Sequence, residues 1–170
     1  LSTRAYRDLR ITTHAALVTR AFGGKRIYLP SGASNEIEKT VKKVTNRFGG
    51  VFEIKTYDKA RTIILQKKKE GCIVVHLTMY GKPLSSAISR LRKKKKIIIV
   101  IGADKVPGEI YQLADYNISV TNQPHSEVAA LGVAMHEIMD GTEENLLFPG
   151  KKMHIIPTPH GKRIVNENHE

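Results

Sequence analysis

An α/β fold with a mostly parallel sheet and helices on both faces is predicted from three observations. Short β-prone runs alternate with helical patterns of about ten to fifteen residues, an order that calls for crossover connections between parallel strands. Ile97 to Ile101 is an unbroken run of β-branched apolar residues bounded by charge and by Gly102, as a strand covered on both faces requires. Ser126 to Met139 is apolar almost all round, through Val128, Ala129, Leu131, Val133, Ala134 and Ile138, so that helix is expected to be largely buried.

The elements follow in chain order. Ala15, Val18, Ala21 and Phe22 recur at helical spacing after Thr12 and Thr13, and Gly23-Gly24 closes this first helix. Arg26 to Leu29 is short and β-prone. Ser34-Asn35 opens a second helix with Ile37, Val41, Val44 and Phe48 on one face; Glu38 has capping-box spacing from Asn35, and Gly49-Gly50 ends the run. Val51 to Thr56 alternates like a half-buried strand. Asp58 is placed to cap a helix reaching Lys69, and Cys72 to His76 reads as a buried strand. Pro83 starts another helix, which ends in the basic run Arg92 to Lys96. After the Ile97 strand, Pro107 sits near the first turn of a short helix carrying Ile110 and Leu113, and Tyr116 to Val120 is a further strand. From Lys151 the pattern changes. Met153 to Ile156 and Lys162 to Val165 flank Pro157-Thr158-Pro159-His160-Gly161, a β-hairpin appended to the core, with Asn166 to Glu170 as a frayed tail. Residues 1–150 are read as the main domain and 151–170 as the addition.

A length of 170 residues suits one domain. The single cysteine, Cys72, permits no internal disulfide, fits a reducing cytoplasm and reads as a core residue. No apolar run approaches the roughly 20 residues of a membrane span, so no membrane partner is expected. Charge is more informative: 28 Lys+Arg against 16 Asp+Glu gives +12, with a pI near 9.9, the electrostatic footprint of a polyanion binder. A lysine-rich surface of thermophile type is the competing explanation. The chain begins at Leu1 and not at Met, so further residues are expected before it. Arg4, Arg7 and Arg10 are not followed by an uninterrupted apolar core, unlike a signal peptide.

Several chemistries drop out. Gly24-Lys25, Gly81-Lys82, Gly150-Lys151 and Gly161-Lys162 all lack the upstream glycine and the following Ser/Thr of a P-loop, and no G-x-G-x-x-G follows a strand. The seven histidines lack metal-ligand spacing, so no metal site is expected. In parallel sheets, ligands sit beyond the carboxyl ends of strands, which directs attention to the loops after Val75, Ile101 and Val120. Gly102 to Gly108 follows its strand directly, and Asn122-Gln123-Pro124-His125-Ser126-Glu127 leads into the apolar helix with Ser126 able to cap it. His76 to Gly81 is a third wall of the same layer. Tight turns that use Gly, Asn and Pro for conformational reasons explain the same residues equally well.

The stretches Arg10-Ile-Thr-Thr-His-Ala-Ala-Leu-Val-Thr-Arg-Ala-Phe-Gly23, Val75-His-Leu-Thr-Met-Tyr-Gly81, Ile101-Gly-Ala-Asp-Lys-Val-Pro107, Ala114-Asp-Tyr-Asn117 and Asn122 to Leu131 resemble the archaeal tRNA cytidine-56 2′-O-methyltransferases, a branch of the SPOUT class. The resemblance covers nearly the whole chain. It implies a C-terminal deep trefoil knot over about residues 72–140, a homodimer with its site at the interface, S-adenosylmethionine as cofactor and S-adenosylhomocysteine as product, tRNA as partner, and a branch-specific terminal hairpin. It also implies a first strand that starts before Leu1. By the same resemblance, Arg10 is the catalytic arginine, placed just before the first helix and supplied to the partner's site; Arg20, near the helix end, is the second candidate, with a solvated or phosphate-binding role as its other reading. Guanidinium keeps its proton far above neutral pH, so positioning a phosphate and stabilising a developing alkoxide suit Arg10 better than acting as a base. His14 is either a base or structural. The cofactor walls are Leu77, Thr78, Gly102, Ala103, Asp104, Lys105, Val106, Val120, Thr121, Asn122, Gln123, Pro124, His125, Ser126 and Glu127. Asp104 and Glu127 either offset the sulfonium charge or are a loop acid and a helix-start acid. Arg90 to Lys96, with Lys67 to Lys69, is either a solvated helix end or a tRNA backbone surface. The competing functions are a SPOUT ribose methylase acting on another tRNA or rRNA nucleotide and a non-catalytic RNA-binding SPOUT domain.

Overall fold

The computed structural model describes residues 8–33, 35–102 and 106–167. In chain order these form α1 (Asp8–Ala21), β1 (Arg26–Pro30), α2 (Asn35–Phe48), β2 (Glu53–Tyr57), α3 (Ala60–Lys69), β3 (Ile73–Pro83), a 3-10 turn (Leu84–Ser86), α4 (Ile88–Leu91), β4 (Ile97–Val100), α5 (Gly108–Leu113), β5 (Tyr116–Ser119), α6 (Glu127–Met139), a second 3-10 turn (Thr142–Asn145), β6 (Met153–Ile156) and β7 (Arg163–Asn166). β1 and β2 pair in parallel, β4-β3-β5 form a parallel three-stranded sheet, and β6 pairs antiparallel with β7.

The period-two alternation of strands decides which helices cover which face. Val74 and Val100 pack with Ile64 of α3 and Ile110 of α5. Val75, Leu77 and Ile118 point the other way, onto Leu84, Ala87, Leu91, Ala130 and Ala134. The three-stranded sheet therefore lies between α3/α5 and α4/α6. α1 joins the α6 side through Ala15 against Leu131 and Met135, with the small alanine letting the two backbones approach. A Cβ on Gly132 would lie 3.9 Å from Val18, and one on Gly23 would lie 3.5 Å from Met139, so the two helices run in the same direction. Arg10, in the first turn of α1, is thus at the end of the molecule from which α6 starts.

Differences from the sequence expectations have local causes. Asp58 does not cap α3: its Oδ1 accepts the Ser31 hydroxyl at 2.6 Å, and Lys59 is the N-cap residue with no side-chain bond. Pro83 ends β3 instead of opening a long helix; a 3-10 turn and the four-residue α4 follow. The strand read as Cys72 to His76 continues to Pro83, and β2 starts at Glu53. Only Ala130, Leu131, Ala134 and Met135 of α6 are buried, while Val133 is 45% exposed. Asn166 belongs to β7, and Glu167 N–H donates to the Lys152 carbonyl at 2.8 Å, so these two residues are not frayed.

Candidate active site

The centre of the site is an irregularity in β3. Leu77 is the register partner of Ile118, and after an excursion through Thr78–Gly81 the chain returns so that Lys82 partners Ile118 as well, followed by Pro83 with Ser119. Gly81 makes this return feasible: a Cβ there would sit 2.5 Å from the Ile118 nitrogen and 2.6 Å from the carbonyl carbon and oxygen of Asn117. The excursion is clasped from the other side. Asn122, three residues beyond β5, donates its amide N–H groups to the Met79 carbonyl at 2.6 Å and to the Gly81 carbonyl at 3.3 Å. β4 lies on the opposite edge of β3, Val100 beside His76, so the loop that starts at Ile101 emerges at the same end.

Most of the sequence-predicted cofactor walls are gathered by this geometry. Leu77 is buried in the core and Thr78 half-buried beside it; Gly102 and Val106 flank the loop after β4, where Val106 packs with Ile110. Ala103, Asp104 and Lys105 lie outside the described residues. Val120 rests on the core cluster, whereas Thr121, Asn122, Gln123, Pro124, His125 and Ser126 are exposed. Ser126 caps α6, its Oγ accepting Val128 N–H at 3.2 Å, and Glu127 is the first helical residue. An apolar floor of Val120 and Ile101 beneath polar loop backbone fits a nucleoside cofactor, which needs apolar contact for a base and hydrogen-bonding groups at its rim. Ser119, 2% exposed with its Oγ unpartnered, adds an unused hydroxyl just below that rim.

Contacts not foreseen from the sequence tie these loops together. His76 is fully buried, and its Nδ1 lies 2.9 Å from Asn117 Oδ1; the Asn117 amide N–H donates to the Tyr111 carbonyl at 2.8 Å, which orients the amide so that His76 Nδ1–H is the donor. The rings of His76 and Tyr111 meet edge to face with centroids 4.6 Å apart, and Tyr111 Oη shares a 3.2 Å hydrogen bond with Thr78 Oγ1. Burial pushes the His76 pKa down, so the imidazole is held neutral, leaving Nε2 as a buried, unpartnered acceptor. β3, α5 and β5 are thereby coupled at the ends that carry the loops. Asn117 and Ser119, two polar residues on one face of a short buried strand, were the available sequence signal.

The two candidate arginines separate cleanly. Arg10 lies within α1 and not before it, and its side chain is exposed. Arg20 is 8% exposed: its NH2 group donates to the Gly49 carbonyl at 2.5 Å, Nε to Thr45 Oγ1 at 3.2 Å, and the guanidinium lies 4.9 Å from the centre of the Phe148 ring. Burial lowers its pKa, and the solvated or phosphate-binding reading gives way to a structural one. His14 is exposed on α1. The basic cluster is partly committed within the chain: Lys67 pairs with Glu70 at 2.6 Å, Lys68 with Asp115 at 2.7 Å, and Arg92 with Asp140 at 2.8 Å and Glu137 at 3.3 Å. A cavity of about 190 Å³ between the ends of α1 and α2, lined by Lys25, Val51, Leu147 and Phe148, lies where the chain enters β1 and β2, at the amino ends of those strands. No group of His, Cys, Asp and Glu among the described residues is arranged to hold a metal ion.

Known proteins converge on this architecture. A solved TrmH/SpoU tRNA-modifying enzyme from A. aeolicus superimposes with a TM-score of 0.59 at 18% identity, over 82% of this chain and 72% of that one. The SpoU methyltransferase AviRb from Streptomyces viridochromogenes, solved in complex with AdoMet, gives 0.57 at 7% identity over 76% and 55%. At these identities the likeness is one of fold: the chain shares the α/β architecture of those proteins. In sequence, a protein of Nitrosopumilus maritimus described as tRNA (cytidine(56)-2′-O)-methyltransferase is 45% identical, covering 95% of this chain and 90% of its own length. One of the same description from Thermococcus kodakarensis is 43% identical over 97% and 93%. The family described as Trm56, tRNA ribose 2′-O-methyltransferase, matches residues 48–165, and the chain belongs to that family.

Proposed function

We propose that this chain transfers the methyl group of S-adenosylmethionine to the ribose 2′-oxygen of cytidine 56 in tRNA, acting in the cytoplasm as a homodimer whose region of about residues 72–140 forms a deep trefoil knot. Residues 1–150 are the methyltransferase unit and 151–170 its added hairpin. The observation that carries the reading is the end-to-end match to relatives of that activity, 45% identical over 95% of the chain. No described helix is long and apolar enough to cross a membrane.

The knot reading is supported by β3 meeting β5 on both sides of the Thr78–Gly81 excursion and by Asn122 clasping that excursion. The dimer reading is supported by the apolar Ala129 and Val133 of α6, exposed for a second copy to cover.

When bound, the cofactor supplies an electrophilic methyl group. Leu77, Thr78, Gly102–Val106 and Val120–Glu127 hold it, chiefly through backbone groups and the apolar floor. A ribose hydroxyl is a poor nucleophile, so the residues that align it matter most; orientation of this kind is worth up to roughly 7–11 kcal/mol. Arg10, exposed at the end where α6 starts, reaches across to the partner's site, holds the adjacent phosphate and stabilises charge developing on the 2′-oxygen.

Incubation with unmodified tRNA and labelled cofactor, followed by mass-spectrometric nucleotide mapping, is expected to place the label on cytidine 56; label at another nucleotide, or none, defeats the reading. Arg10→Ala is expected to lose turnover while binding cofactor normally. Full activity in that variant removes Arg10 from the mechanism.

A further inference from the structure

We propose that the exposed ridge of α2 and the β6–β7 ribbon together grip the sugar–phosphate backbone of the tRNA, an inference that rests on the chain's acting on tRNA. Lys39, Lys43 and Arg47 stand four residues apart on α2, all exposed, while Ile37 and Val41 face the core. Like charges at this spacing repel and are unfavourable to the helix, so the ridge is not there for stability. It starts in the second turn of α2 and extends along the helix for about 12 Å. At its far end it continues into the ribbon: Lys152 N–H donates to the Arg47 carbonyl at 2.9 Å. The segment from Gly150 to Asn166 contains Lys151, Lys152, Lys162 and Arg163 and no acidic residue. Of these only Lys151 has an acidic partner among the described residues, Glu167 at 3.7 Å. Between the cations, Ile155 and Ile164 are directly opposed across the ribbon yet 62% and 53% exposed.

The other basic cluster is a poorer candidate. Lys67, Lys68 and Arg92 are held in ion pairs, and Lys96 donates to the Glu70 carbonyl at 3.1 Å. A polyanion is the partner that the acid-free ribbon and the exposed Lys39, Lys43 and Arg47 select, and backbone recognition releases counterions roughly in proportion to the phosphates neutralised.

The test compares full-length wild type with two double variants, Lys162→Gln/Arg163→Gln and Lys39→Gln/Lys43→Gln, on unmodified tRNA. Gel-shift affinity, KM for tRNA and their salt dependence are measured, with cofactor affinity and sedimentation as controls. Each double variant is expected to weaken tRNA binding about tenfold or more and to lower the slope of log affinity against log salt by about 2, with kcat at saturating tRNA and cofactor binding unchanged. Unaltered affinity and slope in both variants overturn the proposal, as does a change in oligomeric state that accounts for the loss, which makes the ribbon an interface between copies. A wild type that binds tRNA but methylates a different nucleotide defeats the functional reading alone, because the affinity measurements still decide where the RNA is held.

Discussion

Replacing Gly81 with alanine tests the central geometry of the site. The added Cβ would lie 2.5 Å from the Ile118 nitrogen and 2.6 Å from the Asn117 carbonyl group, where ordinary contact begins at 3.4 Å. All three atoms are backbone, so no side chain can rotate away, and β3 must separate from β5 by nearly an ångström. Gly81 is not among the glycines with positive φ, so steric overlap and not lost conformational freedom sets the cost. Overpacking of this kind costs about 1–3 kcal/mol. Displacing Gly81 also disrupts the two bonds from Asn122, worth about 0.5–1.5 kcal/mol each. A combined cost of about 2–6 kcal/mol lowers Tm by about 4–24 °C for a chain of this size. Thermal unfolding at fixed protein concentration measures the first effect, and titration calorimetry with S-adenosylmethionine measures a second, an expected loss of cofactor affinity. Gly108→Ala is the control: a Cβ there meets nothing within 4 Å, and little change is expected. A Gly81→Ala protein with wild-type Tm and wild-type cofactor affinity would refute the account of how β3, β5 and the Asn122 loop are held.

Arg20→Leu removes the donor to the buried Gly49 carbonyl and the contact on Phe148; a loss of about 2–3 kcal/mol in unfolding experiments is expected, with cofactor affinity retained. Normal stability with abolished turnover would instead make Arg20 the catalytic arginine. His136 Nδ1 hydrogen-bonds the Glu143 carboxylate; the bond raises the histidine pKa above 6.5 and lowers that of Glu143 below 4.5. The histidine's contribution is complete below 6.5 and fades as pH rises through its raised value, while the glutamate's is complete above 4.5 and fades as pH falls. The Tm difference between wild type and His136→Gln is therefore expected to be widest between pH 4.5 and 6.5 and to shrink at higher pH. A difference constant with pH speaks against the pair.

What could be read from the sequence was what local chemistry decides. The β-branched run became β4, and Ser126 capped α6 as its position suggested, because neither feature depends on distant partners. Asp58 looked like a cap only until Ser31, distant in sequence, offered its hydroxyl. The continuation of β3 was invisible because Thr78–Gly81 has no strand pattern; β5 recruits it, and Gly81 fits only because Ile118 lies against it. Arg20 carries no local sign of burial, since its partners Thr45, Gly49 and Phe148 come from other parts of the chain. Within the site, the loops were legible as strand-end loops, but the His76–Asn117–Tyr111–Thr78 chain of contacts joins three elements by folding alone.

The strap from Leu146 to Gly150 has a practical consequence for dissecting the molecule. Gly50 N–H donates to the Pro149 carbonyl at 2.8 Å, Phe148 covers Arg20, and a Cβ on Gly49 would stand 2.7 Å from the Phe148 and Pro149 carbonyl oxygens. A chain ended before Leu146 would strip a buried guanidinium of its aromatic cover and is expected to fold poorly. A chain ended just after Gly150 keeps the strap intact, so that position is where a trimming experiment should begin. The turn at Pro157–Gly161, exposed throughout, is instead where a tag or a reporter domain can be inserted with the core undisturbed.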